Sequence, residues 1–294
     1  MLRLLRSEIF RMRRRWMPWI MLGLIVVAAF AVYFLIWGST QAQIELLKSG
    51  QAPPQGAPTL EQLREALLIV TPGRVQDFGV SVVSGFGSIM LIVFAASHVG
   101  TEFGWGTFRT LLAHGASRTG FLVSKAISLL LYAAVLMLVG TVAAIGGSYV
   151  VSSLAGLSAG SGVDVAEVAR AAAKSGYTFI PYMALALAIA VWSKSAGAGI
   201  ATGLVVYFAE GLVATILVSL NKDYAQIVNW GLSRNASALT RTVSSGQTGP
   251  STQDPTASTL PDPAQAAIIL AVYCLIFLAL AYWPLRSRDV TVGG

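Results

Sequence analysis

The feature that most constrains the fold is a series of six long apolar runs. They cover about residues 17–38, 79–99, 122–151, 176–192, 197–218 and 265–285. A helix needs roughly 20 apolar residues to cross a hydrocarbon core about 30 Å thick. Only 11% of the 294 residues are charged, whereas soluble domains carry about 25%. The sequence therefore predicts an all-α integral membrane protein, with a six-helix transmembrane domain over residues 17–285.

The distribution of charge predicts which side of the membrane each loop faces. With six spans both termini lie on one side, and that side carries twelve basic and three acidic residues. The opposite side carries eight basic and nine acidic residues. Because basic residues are enriched on the cytoplasmic side, we expect both termini in the cytoplasm of a multi-pass protein of the cell inner (plasma) membrane. The net charge of +7 is then a topology signal, and we expect no nucleic-acid partner.

The segments outside the spans have distinct patterns of their own. Residues 1–16 place apolar side chains at helical spacing among arginines, which predicts an amphipathic in-plane helix on the lipid surface. The outer loop 39–78 is expected to contain a helix over residues 60–70, opened by a capping box of Thr59 and Gln62. A second outer loop is predicted over residues 219–264, and a cytoplasmic tail over residues 286–294.

The candidate functional region is the polar stretch of residues 100–121 between the second and third spans. Gly104 and Gly106 weaken helix there, Thr107 is a good N-cap, and Gly115 is a good stop. We therefore predict a short cytoplasmic helix with an apolar face and one adjacent cation, formed by Phe108, Leu111, Leu112 and Arg109. The residues leave two interpretations open: a knob that inserts into a groove of another protein, or a helix that lies on lipid.

The same stretch resembles the signature of ABC-2-type transporter permeases. The resemblance is carried by Glu102-Phe-Gly-Trp-Gly-Thr107-Phe-Arg109-Thr-Leu-Leu112, followed by Gly115-Ala-Ser117-Arg118 and Phe121-Leu-Val-Ser-Lys125. It implies the ABC-2 exporter type of fold, with a coupling helix at residues 107–113 and Glu102 at the cytoplasmic end of the transmission path, near the inner gate. The residues implied in ATPase coupling are Thr107, Phe108, Arg109, Leu111, Leu112 and Arg118. The long outer loop after the first span departs from the pattern, because that loop is often short in the family.

The resemblance implies the permease subunit of an ATP-driven exporter that moves an unidentified cargo outward as a homodimer or a heterodimer with a related permease. The sequence has no phosphate-binding P-loop motif, so we expect no enzymatic activity and no cofactor in this chain. ATP and Mg²⁺ would be bound by a separate ATP-binding subunit, present in two copies. Two alternatives stay open: a secondary, proton-coupled transporter that uses Glu210, and a non-transporting membrane scaffold.

Four polar or small residues inside the spans, Glu210, Gly199, Gly203 and His98, are of further interest. Glu210 lies near the middle of the fifth span, where an acidic side chain is either functional or bonds to a neighbouring helix. Gly199 and Gly203 form a small-residue motif that suits either a dimer face or packing inside the subunit, and the resemblance to ABC-2 permeases implies the dimer face. His98 is interpreted as a hydrogen-bonded polar residue, and no group of residues has the spacing of a metal site.

Overall fold

The secondary structure of the described residues consists of helices, with no strand among them. The computed structural model describes residues 2–49, 58–104, 113, 117–157, 162–241 and 259–287. Ten α-helices are used below, and they are numbered in chain order. They are α1 (Leu2–Arg14), α2 (Trp16–Lys48), α3 (Leu60–Leu68), α4 (Val80–Gly104), α5 (Arg118–Leu154), α6 (Val165–Ser193), α7 (Ala196–Leu220), α8 (Ala225–Val228), α9 (Leu232–Arg241) and α10 (Pro263–Ser287).

Six helical segments of the described chain are long and apolar enough to cross a membrane. They are Trp16–Lys48, Pro72–Gly104, Arg118–Leu154, Val165–Ser193, Ala196–Leu220 and Pro263–Arg286. The second of these contains α4 and the two short turns of 3-10 and π helix that precede it, Pro72–Arg74 and Val75–Gly79. The protein is thus a helical, multi-pass membrane protein, as the six apolar runs predict.

Two of these helices extend well beyond the predicted spans. The first span was expected to end near residue 38, but α2 continues to Lys48. The fourth was expected over residues 176–192, but α6 starts at Val165. The physical reason is that an apolar run marks only the part of a helix that is surrounded by lipid or by other apolar side chains. Polar turns continue such a helix without an apolar signal.

The chain divides into two units, and the first comprises Met1–Trp19, Ser88–Ala134 and Lys174–Gly294. Its core includes the apolar part of α6, in which Phe179, Tyr182 and Leu187 are almost fully buried. Two hydrogen bonds fix α10 along α6: Tyr177 Oη donates to the carbonyl of Ala267 at 2.8 Å, and Trp192 Nε1 donates to that of Leu280 at 3.2 Å.

The second unit comprises Ile20–Gly87 and Val135–Ala173. In it α3 begins with the predicted capping box: Gln62 N donates to Thr59 Oγ1 at 3.3 Å, and Thr59 N donates to Gln62 Oε1 at 2.8 Å. Leu63 and Leu67 of α3 pack against Ile44 in the extension of α2. This contact explains why α2 continues past the predicted span, because its last turns provide the surface that covers the apolar side of α3.

Candidate functional site: a buried charge cluster

The site is assembled by three helices of the first unit, each of which contributes two polar side chains at helical spacing. Residues three or four positions apart lie on the same face of a helix, so each pair points in one direction. We call these six residues the charge cluster: Glu8 and Arg11 from α1, His98 and Glu102 from α4, and Lys125 and Ser128 from α5.

Lys125 lies at the centre of the charge cluster and is fully buried. Its Nζ donates to Glu8 Oε2 at 2.7 Å and to Glu102 Oε1 at 2.5 Å. It also lies 3.4 Å from both His98 Nε2 and the His98 carbonyl oxygen. A buried ammonium group is costly unless it is paired and hydrogen-bonded, and here it has two carboxylate partners from two other helices.

Arg11 supplies the second positive charge of the cluster. Its guanidinium donates to Glu8 Oε1 through Nη2, and to Glu102 Oε1 through Nη1 at 3.1 Å. With Lys125 this makes two cations and two carboxylates, whose formal charges cancel. Glu8 and Glu102 are 2% and 1% exposed, so the balance of charge is what makes their burial tolerable.

The acidity of Glu8 reflects these partners. Burial by itself would raise the pKa of the Glu8 carboxyl group. The contact with His98, whose Nε2 lies 3.4 Å from Glu8 Oε2, and the positive charge of Lys125 act in the opposite direction and prevail. Together with Arg11 they lower the pKa of Glu8 to about 2. Glu8 is therefore a carboxylate at any physiological pH.

His98 joins the charge cluster to the aromatic packing beside it. Its ring stacks on Phe94 with 5.3 Å between ring centroids, and its Nε2 lies 3.3 Å from Ser128 Oγ. The prediction of a hydrogen-bonded polar residue agrees with these contacts. No group of three or more His, Cys, Asp and Glu side chains that could hold a metal ion occurs in the described part of the chain.

The contacts of the charge cluster hold three helices together. The carboxylates of Glu8 and Glu102 and the ammonium group of Lys125 are buried and bonded to one another, so these three groups present no open binding surface. The charge cluster joins α1 to the last turns of α4 and to the first turns of α5. These two helices bound the segment that carries the predicted coupling helix. The structure describes residues 105–116 only at Ala113, so Thr107, Phe108, Arg109, Leu111 and Leu112 lie outside the described residues.

Arg118, which was predicted to couple to an ATPase, makes contacts within the chain. Its Nη1 donates to the carbonyl oxygens of Leu285 at 2.5 Å and Arg286 at 3.0 Å. These carbonyls belong to the last turn of α10, where a cation also interacts favourably with the helix dipole. Arg118 thus fixes the start of α5 to the end of α10, and its role toward an ATPase stays a prediction.

Glu210 bonds to the backbone at the start of another helix. Glu210 Oε1 accepts a hydrogen bond from the backbone N–H of Ser233 at 3.2 Å, in the first turn of α9. A carboxylate at this position satisfies a donor that the helix leaves without an intrahelical partner. Gly231 permits the approach, because a Cβ there would lie 2.4 Å from Glu210 Oε1. Of the two interpretations of Glu210, this contact favours the bond to a neighbouring helix.

The surroundings of Gly199 and Gly203 favour packing inside the subunit, the alternative to a dimer face. A Cβ at Gly199 would lie 2.8 Å from the carbonyl oxygen of Ala186, and a Cβ at Gly203 would lie 2.6 Å from Ile92 Cγ2. Both glycines are buried, and α7 uses them to approach α6 and α4 of the same chain. Small residues favour close helix packing both in a dimer face and inside a subunit, so the motif by itself does not identify the partner helix.

The comparison with protein families gives a match over most of the chain. A family profile described as "Protein of unknown function (DUF2705)" matches residues 77–291, more than half of the chain. The chain belongs to the DUF2705 family. No curated protein matches it. The part that matches DUF2705 contains His98, Glu102 and Lys125, whereas Glu8 and Arg11 lie before it, on the N-terminal helix.

Sequence reasoning assigned a role to Glu102 in this DUF2705 member but missed its partners. Lys125 was noted only as part of a motif, and no role was given to Glu8 or Arg11. One signal was present: Glu8 is the only acidic residue among the six arginines before the first span. An isolated acid in a basic helix predicts a buried or paired carboxylate, but the partner helices follow only from the tertiary structure.

Proposed function

We propose that the chain is the transmembrane permease subunit of an ATP-driven exporter of the ABC-2 type, which acts with a separate ATP-binding subunit. Its charge pattern supports an orientation with both termini in the cytoplasm of the cell inner membrane. In this orientation α1, the end of α4 and the start of α5 all lie on the cytoplasmic side. Segment 105–116, which lies within the stretch that resembles ABC-2 permeases, would then face the partner.

The observation that carries the proposal is the ion pair between Glu102 and Lys125. It joins the two helices that precede and follow segment 105–116. Glu102 lies two residues before the end of α4, and Lys125 lies in the second turn of α5. Their 2.5 Å contact holds the two helices together where the segment leaves and re-enters the bundle. A displacement of the segment would therefore move both spans as one body, as a coupling element requires.

The N-terminal helix is part of the same connection. Glu8 shares Lys125 with Glu102, and Arg11 bonds to both carboxylates. A movement of the segment would thus reach α1 on the membrane surface as well as the two spans. The ATP and Mg²⁺ of the partner subunit would supply the energy, and the residues of this chain would transmit the movement.

The experiment that tests the proposal is co-expression with an ABC ATP-binding subunit from the same organism, followed by co-purification and measurement of nucleotide turnover. Phe108→Ala removes the predicted apolar anchor and should weaken the complex by about 2 kcal/mol or more, roughly 30-fold in Kd. Phe10→Ala is the matched control, because it truncates an exposed phenylalanine of α1. The control complex should bind as tightly as the parent.

Glu102→Gln tests the transmission separately from the binding. It leaves the apolar anchor intact but removes one negative charge from the charge cluster, so the complex should assemble while the effect of the permease on ATP turnover is lost. If Phe108→Ala binds its ATPase as tightly as the parent, the coupling assignment is wrong. If the chain alone transports cargo with a proton gradient, and Glu210→Gln abolishes this transport, the interpretation as a secondary transporter would be supported instead. ATP turnover coupled to no cargo movement would support the scaffold.

A further inference from the structure

A cavity of about 360 Å³ lies beside the charge cluster, where α1 passes into α2. It opens between this junction and the cytoplasmic half of α4, within the first unit. The residues that line it are Met12, Arg15, Trp16, Met17, Pro18, Phe94, Ser97, His98 and Thr101. The charge cluster does not fill this cavity, and the proposed coupling function does not use it.

The wall of the cavity is almost entirely apolar. Phe94 forms part of it, and this ring packs against His98 and against Tyr132, whose ring centroid lies 4.1 Å away. Pro18 is fixed as well, since its carbonyl accepts a hydrogen bond from Tyr132 Oη at 2.9 Å. A rigid apolar cavity of this size, at the small end of the ~300–1,000 Å³ of ligand sites, fits a single hydrocarbon chain.

The polar end of the cavity carries a positive charge. Arg15 lies at the break between α1 and α2, and its Nη1 donates to Thr101 Oγ1 at 3.4 Å. Arg15 is half-buried, whereas Arg13 and Arg14 on the same turn are exposed. A planar guanidinium matches the oxygens of a phosphate.

We propose that this cavity binds one anionic phospholipid of the cytoplasmic leaflet, with an acyl chain in the apolar part and the phosphate at Arg15. Charge complementarity selects this occupant, because the leaflet is anionic and basic pockets at membrane helices bind anionic headgroups. Exposed Trp16 and Trp19 beside the cavity suit the membrane interface. The lipid site rests on the proposed orientation, in which α1 lies on that leaflet.

Such a lipid would contact the charge cluster directly. His98 lines the cavity and also lies next to Glu8 and Lys125. The phosphate would lie near Thr101, the residue before Glu102. Occupancy of the cavity would therefore stabilise the position of α1 against α4, and an anionic leaflet would become a requirement for transmission.

The test is a titration of the purified protein with phosphatidylglycerol or phosphatidylcholine of identical acyl chains, with bound lipid detected by native mass spectrometry. The parent should prefer phosphatidylglycerol. Arg15→Gln should weaken phosphatidylglycerol binding about tenfold, as expected for the loss of a charge-assisted hydrogen bond, and leave phosphatidylcholine binding little changed. Arg13→Gln is the matched control, because it removes the same charge from an exposed position that does not line the cavity.

A second variant tests the apolar part. Ser97→Leu places a larger side chain in the cavity and should weaken the binding of both lipids. Equal effects of Arg15→Gln and Arg13→Gln would overturn the proposal, and so would unchanged lipid binding in Ser97→Leu. Displacement of the lipid by inorganic phosphate alone would also overturn it. The assay needs no ATPase and no cargo, so its failure would leave the proposed coupling function standing.

Discussion

Replacing Lys125 by methionine tests whether the charge cluster holds α1, α4 and α5 together. Methionine keeps a similar length and volume but removes the ammonium group that bonds to Glu8 and Glu102. Arg11 would then be the cation of the charge cluster that remains beside the two carboxylates, and the formal charge of the cluster would be −1. Breaking a buried ion pair in this way costs about 3–5 kcal/mol.

The decisive assay is a double-mutant cycle measured by unfolding of the purified protein in detergent. Lys125→Met should lower stability strongly. The double variant Lys125→Met/Glu102→Gln should recover part of that loss, because it restores neutrality and keeps a side chain of the same shape. Lys48→Met is the matched control, since Lys48 is exposed at the end of α2, and its effect should stay within about 0.5 kcal/mol. If the free energies of unfolding lost in Lys125→Met and in Glu102→Gln simply add in the double variant, the ion pair does not hold the helices together.

Three further predictions follow from the same structure. The low pKa of Glu8 means that its contribution to stability is fully present above its ordinary pKa of 4.5 and is lost as pH falls toward about 2; Glu8→Gln should flatten that part of a pH–stability profile. Glu210→Gln should leave stability little changed, because an amide oxygen still accepts the Ser233 N–H, whereas Glu210→Leu should cost about 1–3 kcal/mol in the same unfolding assay. Gly199→Ala should lower the thermal stability of the subunit, since its Cβ would lie 2.8 Å from a carbonyl oxygen, while Gly211→Ala in the same helix meets nothing within 4 Å and should be neutral. A change of oligomeric state in Gly199→Ala without loss of stability would restore the dimer interpretation.

Elements whose cause is local could be predicted well from the sequence. The capping box of Thr59 and Gln62 needs only two side chains three residues apart, and the structure confirms it. The six spans could be predicted because lipid requires a long uninterrupted apolar run, whatever its neighbours. The amphipathic pattern of residues 1–16 likewise predicts the helix α1, which runs over Leu2–Arg14.

Elements whose cause is a partner far along the chain were decided only by the tertiary structure. Glu8 and Lys125 are 117 residues apart, and no local pattern states that their helices meet. Gly199 and Gly203 show the same limit, since a small residue permits close approach but does not name the helix that approaches. Glu210 is a further case, because its acceptor role depends on where α9 begins. A buried charge is tolerated only where an opposite charge lies next to it. Whether two charges lie next to each other depends on how the helices pack, and no single helix determines it.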